Sequence, residues 1–255
     1  MLYYAMCKLL LLCLIVCCFG AAAFAQEAKQ EDSKKFSFGI SLNSDKFFGF
    51  YPVFQGTANI STGVDFTFYG ILWSGGTGGA WGNWTEFGIG VNLEPVAGIT
   101  VMPQIGVLNG SLLSSTAEGP SIFAEGIVPN LTARMNLPSV EGEIYAGYYL
   151  PIADKAPRNG STRAYLHYWG NVGYKFGSFF SLGAHYEHLI NSGGSAVKQA
   201  ADVYQWVGPY VQFSVPQSSA FARFSAGADI LAQTSKITIP SSSSPLVSVF
   251  NYSAL

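Results

Sequence analysis

Hydrophobic and polar side chains alternate with a period of two along most of the chain after residue 35. Across residues 57–69 the apolar face of an extended chain carries Ala58, Ile60, Thr62, Val64, Phe66 and Phe68. Because successive side chains of a strand point to opposite faces, this alternation predicts a strand with one apolar and one polar face. Comparable segments recur at residues 86–93, 99–107, 140–150, 164–175, 203–213 and 220–230. The chain is therefore predicted to be all-β.

The connections between these segments alternate between short and long. Short turns are predicted at residues 94–98, 138–139, 177–178 and 216–219, and longer polar or glycine-rich connections at 74–83, 109–119, 151–161 and 191–201. This alternation is typical of membrane β-barrels, which have short periplasmic turns and longer outer loops. With further strands at 36–42, 46–54 and 246–252, we expect a transmembrane antiparallel β-barrel of about 12 strands, with about 10 as the near alternative. A soluble exported β-sandwich is the alternative fold.

Four prolines, Pro52, Pro103, Pro129 and Pro209, fall inside predicted strands, where a proline cannot donate a ladder hydrogen bond. We expect a bulge near Pro129, because Glu125 and Arg134 face the same side only if the register slips between them.

The start of the chain has the pattern of a secretory signal peptide. Lys8 precedes the apolar run Leu9–Phe19, and small residues at Ala23 and Ala25 fit a cleavage site after Ala25. We therefore predict a signal peptide at 1–25, a polar leader at 26–35 and a barrel domain at 36–255. All four cysteines lie within the signal peptide, so the mature chain has no disulfide and no cysteine metal site.

The composition favours a membrane barrel over a soluble domain. Hydrophobic residues make up 49% of the chain and charged residues 11%, whereas soluble domains carry about 25% charge. After the signal peptide, polar or glycine residues interrupt every apolar run that could form a membrane helix. The sequence has no stripe of basic residues of the kind that binds nucleic acid.

The alternating segments, the cleavable leader and the aromatic-rich strand ends resemble bacterial outer-membrane β-barrel proteins. The stretches 65–70 (DFTFYG) and 81–88 (WGNWTEFG) are also similar to a group of uncharacterised outer-membrane proteins, which implies no activity. The resemblance implies a Gram-negative outer membrane, with membrane lipid and the barrel assembly machinery as partners. Such barrels commonly end in an aromatic residue, whereas this chain ends in Leu255.

Charged residues at inward positions of the predicted strands are candidates for lining the lumen. Residues 47–153 contain seven acids and one base, Arg134, whereas the chain from residue 154 onward contains seven bases and four acids. Opposed acidic and basic walls would select solutes by charge, or would form salt bridges that plug the lumen. The predicted lumen charges are Asp65, Glu86, Glu125, Arg134, Glu141, Glu143, Arg163, Lys175, Arg223 and Asp229.

His167, His185 and Glu187 are the candidates for chemistry. Depending on the turn, His167 would lie opposite Glu187 or His188, and a histidine–glutamate pair can act as a general base or bind a metal. We favour a polar network in the lumen over catalysis, and we expect neither a metal nor a cofactor, because no nucleophile or third ligand accompanies the pair.

Three tryptophans, Trp73, Trp81 and Trp84, surround the glycine-rich run at 75–79. They are predicted to form an aromatic girdle at the lipid–water boundary, or else a platform on which a sugar stacks.

The leading functional hypothesis is a narrow channel for small polar or zwitterionic solutes. The alternatives are a non-conducting structural or surface-binding barrel and, third, a membrane-embedded hydrolase.

Overall fold

The computed structural model describes residues 36–45, 48–73, 84–114, 122–152 and 161–231, together with the backbone of 245–254. The predicted signal peptide and polar leader lie outside these residues. The strands are β1 Phe36–Asp45, β2 Gly49–Ser61, β3 Val64–Trp73, β4 Trp84–Val96, β5 Ile99–Gly110, β6 Ile122–Asn136, β7 Val140–Pro151, β8 Ala164–Phe176, β9 Phe180–Gly193, β10 Ala201–Ser214, β11 Phe221–Ala226, β12 Ala228–Asp229 and β13 Pro245–Ala254. No helix in the described ranges is long and apolar enough to cross a membrane.

The strands pair antiparallel and close into a ring. Each strand from β1 to β10 pairs with its successor in the chain, β10 pairs with β11, β11 with β13, and β13 with β1. The two-residue β12 continues β11 after Gly227 and also pairs with β10, so β11 and β12 share one of twelve positions. The predicted all-β antiparallel barrel of about twelve strands is confirmed.

Residues 57–69, predicted as one strand, form a hairpin instead. The chain turns at Thr62–Gly63, where Gly63 has a φ of 73°, a conformation that a side chain disfavours. Ala58 pairs with Phe66 and Thr57 with Thr67, so paired residues have the same parity and lie on the same face. A register shift between Asn59 and Ser61 offsets the parity change of the two-residue turn, so the alternation of β2 continues in phase in β3. This is why the period did not reveal the hairpin.

The two faces of the ring differ as the alternation predicts. Large apolar side chains point outward and are exposed, whereas the positions between them point into the lumen and are largely buried. Representative exposed residues are Phe66, Phe87, Ile89, Ile105, Ile144, Val172, Leu182 and Val207. Representative buried polar residues are Thr67, Glu86, Asn130, Thr132, Glu141, Asn171 and Gln212.

The connections define two ends of the barrel. Short turns join β2–β3, β4–β5, β6–β7, β8–β9 and β10–β11 at the turn end, including all four turns predicted from the sequence. The connections β3–β4, β5–β6, β7–β8 and β9–β10 are the four predicted long ones, and the strand ends that flank them lie at the opposite end of the barrel, which we call the loop end. The end of β1 and the start of β2, which are close in sequence, also lie at the loop end.

The predicted bulge at Pro129 is wrong. Pro129 pairs with Ile105 and Asn130 with Gln104 in continuous register. The irregularity lies closer to the loop end, around Ala124, which has a φ of 51°. Phe123 there is 88% exposed, and Glu125 is fully buried. The strand therefore turns Glu125 inward without disturbing the ladder at the proline.

Candidate functional site

A cavity of about 220 Å³ lies inside the barrel. We call it the lumen cavity. Its polar lining consists of Ser41, Asn43, Gln55, Gln104, Asn130, Thr132, Arg134, Glu143, His167, Asn171, His185, Glu187, Arg223 and Ser225. Aromatic side chains line another part of it, namely Tyr51, Tyr69, Trp73, Tyr145, Tyr149, Trp169 and Phe221.

Four lining residues form a continuous row across adjacent strands, which we call the polar row. Arg134 pairs with Glu143, Glu143 with Asn171, and Asn171 with His185, through strands β6 to β9. Paired residues share a face, so all four side chains point into the lumen. The order of the row is base, acid, amide and imidazole.

The Arg134 end of the polar row reaches across the lumen. Arg134 Nε donates to Glu143 Oε1 over 2.6 Å, and Arg134 Nη2 donates to Gln55 Oε1 of β2 over 3.1 Å. Strands β2 and β6 are not neighbours in the sheet, so this contact narrows the lumen. The Arg134–Glu143 ion pair therefore lies within the acidic half of the chain and does not connect the acidic half to the basic half.

Asn171, in the middle of the row, has unused hydrogen-bonding capacity. Its side chain is buried, yet neither its amide nitrogen nor its amide oxygen has a hydrogen-bond partner among the residues that the structure describes. A buried amide without partners costs about 1–3 kcal/mol, which a polar guest or water in the cavity would offset. Asn171 thus offers a donor and an acceptor to the cavity.

His167, His185 and Glu187 come together as predicted, but through a different register. His167 pairs with Leu189, so the expectation that it lies opposite Glu187 or His188 is wrong. It reaches Glu187 diagonally instead, with 2.8 Å between His167 Nε2 and Glu187 Oε1. His185 Nε2 lies 3.4 Å from the other carboxylate oxygen, and Tyr204 donates its hydroxyl to Oε1.

Both oxygens of the Glu187 carboxylate therefore have partners inside the barrel, which is the arrangement of a structural polar network. No group of three or more metal-ligating side chains is found in the described part of the chain. The catalytic role of His167, His185 and Glu187 stays a prediction. His188 is separate from them, because its parity places it on the outer face of β9.

Three predicted lumen charges, Arg134, Glu143 and Arg223, line the cavity. Arg223 Nε donates to Gln212 Oε1 over 2.9 Å, and its guanidinium lies 4.8 Å from the centre of the Tyr210 ring. Gln212 Nε2 and the Tyr210 hydroxyl both donate to Glu141, each over 3.0 Å. Arg223 and Glu141 thus belong to one network that spans β7, β10 and β11.

The other predicted lumen charges lie outside the cavity lining. Glu86 is fully buried and accepts the Tyr69 hydroxyl over 2.5 Å. At the turn end, Asp65 accepts from Asn59 and Asn92, and Lys175 donates to Asn136 and to the Leu137 carbonyl.

Two more predicted lumen charges lie at or beside strand ends. Asp229 is the last residue of β12 and accepts the backbone N–H groups of Gln205 and Leu231. Arg163 precedes β8, and its backbone N–H donates to the Leu113 carbonyl over 2.7 Å.

Glu125 holds the start of the β5–β6 connection inside the barrel mouth. Its carboxylate accepts the backbone N–H groups of Leu112, Leu113 and Ser114 over 2.9, 2.9 and 3.1 Å. We call this arrangement the Glu125 latch. It carries the fully buried Leu113 into an apolar cluster at the loop end. The cluster comprises Trp73, Trp84, Leu108, Leu113, Val128, Tyr149, Tyr165, Leu189, Tyr204 and Trp206.

The predicted aromatic girdle is wrong for two of its three tryptophans. Trp73 and Trp84 are only 7% and 4% exposed, and they stack on each other inside the barrel with ring centres 5.8 Å apart. Tyr51 stacks on Trp73 at 4.6 Å. Both tryptophans lie at strand ends, where their side chains point inward. Counting the two-residue period from within the loop could not establish that direction. Trp81 lies outside the described residues.

Sequence reasoning missed the polar row, Asn171 and the latch. The row depends on the registers of three hairpins, which single-strand patterns do not specify. A signal for the latch was present, because Leu112 and Leu113 form an apolar pair in an otherwise polar connection.

The closed ring, the apolar outer wall and the polar interior define this protein as an antiparallel β-barrel with a small internal cavity. The chain belongs to a family of unknown function, DUF6733, whose model matches residues 6–238. This confirms the resemblance to an uncharacterised family.

Solved structures of porins show a distant similarity. The KdgM porin is 12% identical, with 85% of this chain and 98% of that chain covered and a TM-score of 0.44. The NanC porin is 10% identical, with 86% and 96% covered and a TM-score of 0.45. A further porin is 10% identical, with 80% and 62% covered and a TM-score of 0.42. We draw no functional conclusion from similarity at this level. No curated protein gives a significant match to the sequence.

Proposed function

We propose that this protein is an outer-membrane channel for small polar or zwitterionic solutes, in a closed conformation. The observation that carries the proposal is the lumen cavity, a polar space inside a barrel with an apolar outer wall. Its 220 Å³ is below the roughly 300–1,000 Å³ of pockets for drug-sized ligands, which restricts the solutes to small ones.

The apolar outer wall supports a position in a membrane. Outward side chains such as Phe87, Ile105, Ile144 and Val172 are between 51% and 62% exposed. Exposed apolar area on this scale is unfavourable in water and favourable against lipid. The proposal includes export by the signal peptide with cleavage near Ala25, insertion by the barrel assembly machinery, and no enzymatic activity.

The charges on the cavity wall support selection of solutes that carry both signs. Arg134 and Arg223 contribute positive groups, and Glu143 and Glu187 contribute carboxylates. Asn171, which lies between Glu143 and His185 in the polar row, contributes a neutral donor and acceptor. A zwitterion can pair its positive group with the carboxylates and its negative group with the arginines. It therefore leaves no unpaired charge in a low-dielectric space.

The loop end accounts for the closed conformation. The apolar cluster packs Trp73, Trp84 and Leu113 across the mouth of the barrel, and the Glu125 latch holds the segment that carries Leu113. A solute passes only when this segment moves, so the latch is the gate of the proposed channel.

The same cluster favours a second candidate function, a non-conducting barrel. If the Leu113 segment never leaves the mouth, the cluster is a permanent plug, and the barrel serves as a scaffold for its outer loops. The two candidates differ only in whether the segment opens.

Single-channel recording in a planar bilayer tests the proposal. We expect rare openings for the refolded protein and frequent openings for Leu113→Ala, because the substitution removes a fully buried side chain from the cluster. Leu72→Ala is the matched control, since Leu72 lies at the same end but is 37% exposed on the outer wall.

Asn171→Leu tests the cavity itself. We expect lower conductance, because leucine places apolar atoms in the polar row. Val172→Leu, the next residue on the outer face, is its control. A silent wild type together with a silent Leu113→Ala variant, both inserted and correctly folded, would overturn the channel and favour the plugged barrel.

A further inference from the structure

Five polar or aromatic residues form a cluster on the outside of the barrel wall, and we call it the outer polar cluster. It comprises Tyr168 of β8, Tyr186 and His188 of β9, and Asp202 and Gln205 of β10. It lies toward the loop end, since Asp202 is the second residue of β10 and Tyr168 the fifth of β8.

Strand parity places Tyr168, Tyr186, His188 and Gln205 on the outer face. The register shift between Asp202 and Tyr204 brings Asp202, which pairs with Ile190, to the same face. Val172, Leu182 and Val207 lie on the same faces of the same three strands, and they are 55%, 45% and 41% exposed. His167, His185 and Glu187, on the opposite faces, point into the lumen. The cluster therefore interrupts a wall that is otherwise apolar on these strands.

Hydrogen bonds fix the orientation of the groups. His188 Nε2 lies 2.9 Å from Asp202 Oδ1, and His188 Nδ1 lies 2.7 Å from the Tyr168 hydroxyl. Because a carboxylate only accepts, Nε2 donates to Asp202, and the contact between Nδ1 and the Tyr168 hydroxyl fixes the second side of the ring. Gln205 Nε2 donates to the Tyr186 hydroxyl over 2.7 Å.

The cluster presents a negative charge beside aromatic rings. The Asp202 side chain is 48% exposed, whereas that of His188 is 10% exposed. The ring centres of Tyr168 and Tyr186 are 6.1 Å apart, and the His188 ring lies 5.3 Å from the first and 6.3 Å from the second. A carboxylate next to tyrosine rings is an environment that attracts an ammonium group by charge and by cation–π contact.

An ionised carboxylate on a lipid-facing wall is costly unless it is paired with a cation. His188 contacts Asp202 through Oδ1, and the half-exposed carboxylate leaves room for a cation from the membrane as a further partner. We propose that the outer polar cluster binds the ammonium headgroup of a membrane lipid of the phosphoethanolamine type. This inference rests on the membrane location in the proposed function and is independent of conduction.

Native mass spectrometry tests the proposal on the full refolded protein released from detergent micelles. The probes are dioleoyl phosphatidylethanolamine and dioleoyl phosphatidylglycerol, offered together at equal concentration. We expect the wild type to retain the ethanolamine lipid about tenfold more than the glycerol lipid, as a partly desolvated ammonium contact implies.

Asp202→Asn should reduce this preference to about one, because it removes the charge and keeps the shape. Glu94→Gln is the matched control, since Glu94 accepts the Gly98 N–H in a turn at the opposite end of the barrel. It should keep the preference. Tyr186→Leu should also lose the preference, whereas Tyr186→Phe, which keeps the ring, should retain most of it. This second pair carries the test if Asp202→Asn does not fold.

Equal retention of the two lipids by the wild type, or a preference that survives both Asp202→Asn and Tyr186→Leu, would overturn the proposal. Insertion into liposomes is measured in parallel. A protein that inserts without a headgroup preference contradicts this inference alone, whereas one that does not insert contradicts the proposed function.

Discussion

The Glu125 latch leads to a prediction about gating. Glu125→Gln keeps the size of the side chain but replaces one carboxylate oxygen with an amide that only donates. Oε1 accepts the Leu112 N–H, and Oε2 accepts the Leu113 and Ser114 N–H groups. The glutamine oxygen can keep the second set, but its amide then faces the Leu112 N–H. At least one charge-assisted hydrogen bond is lost.

The magnitude follows from that loss. A hydrogen bond to a charged group contributes about 1.5–3 kcal/mol, which corresponds to about a 10- to 100-fold change in an equilibrium between two conformations. We therefore expect the ratio of open to closed dwell times in single-channel recordings to rise by about that factor in Glu125→Gln.

Glu94→Gln is again the matched control, because that glutamate also accepts a backbone N–H but at the turn end. Combining Glu125→Gln with Leu113→Ala should give less than the sum of the two effects, since both act on the same segment.

A second readout does not depend on conduction. Hydrogen exchange of the Leu112, Leu113 and Ser114 amides should accelerate in Glu125→Gln by a similar factor, whereas exchange of the barrel strands should not change. If Glu125→Gln folds normally and both the dwell times and the exchange rates equal those of the wild type, the latch does not hold the segment and the reasoning is wrong.

Three further predictions concern the lumen. Gly183→Ala should lower the free energy of unfolding by about 1–3 kcal/mol in urea titrations, because its Cβ would lie 2.3 Å from the Val172 carbonyl and 2.4 Å from the Tyr210 ring. Gly170→Ala, whose Cβ would meet nothing closer than 3.6 Å, should change little. Arg134→Met should shift the reversal potential in a salt gradient toward cation selectivity, since it leaves Glu143 unpaired, whereas Lys198→Met outside the lumen should not. Glu187→Gln should lower the free energy of unfolding by about 1–3 kcal/mol, because Glu187 accepts hydrogen bonds from His167 and Tyr204. Any ester hydrolysis by the wild type should persist in this variant. A hydrolytic activity of the wild type that disappears in His167→Ala, with folding intact, would instead support the hydrolase hypothesis.

Much of the fold follows from local patterns. The two-residue period separates the outer from the inner face on nearly every strand, and glycine, proline and polar residues mark four of the turns correctly. The error at residues 57–69 has a specific cause. The two-residue turn reverses the parity of the faces, but the register shift between Asn59 and Ser61 restores it, so Ala58 pairs with Phe66. Counting alternation cannot detect such a turn, and Gly63 was a local sign of it.

The candidate site could be predicted only in part. Of the ten predicted lumen charges, Arg134, Glu143 and Arg223 line the cavity, and the sequence placed His167, His185 and Glu187 together. Parity alone also separates His188 from His185, although the outer polar cluster needs the β9–β10 pairing that brings Asp202 beside His188. Trp73 and Trp84 were assigned to the outer surface because tryptophan is common at membrane interfaces, and that preference did not apply at strand ends that turn inward.

The sequence by itself determined an all-β chain with an apolar outer face, a polar inner face and alternating short and long connections, since these depend on neighbouring residues. Only the tertiary structure decided which inner residues meet. Arg134 reaches Gln55, and the polar row aligns Arg134, Glu143, Asn171 and His185, because ring closure and register set those distances. Register and closure are properties of strand pairs far apart in the chain, and no local pattern specifies them.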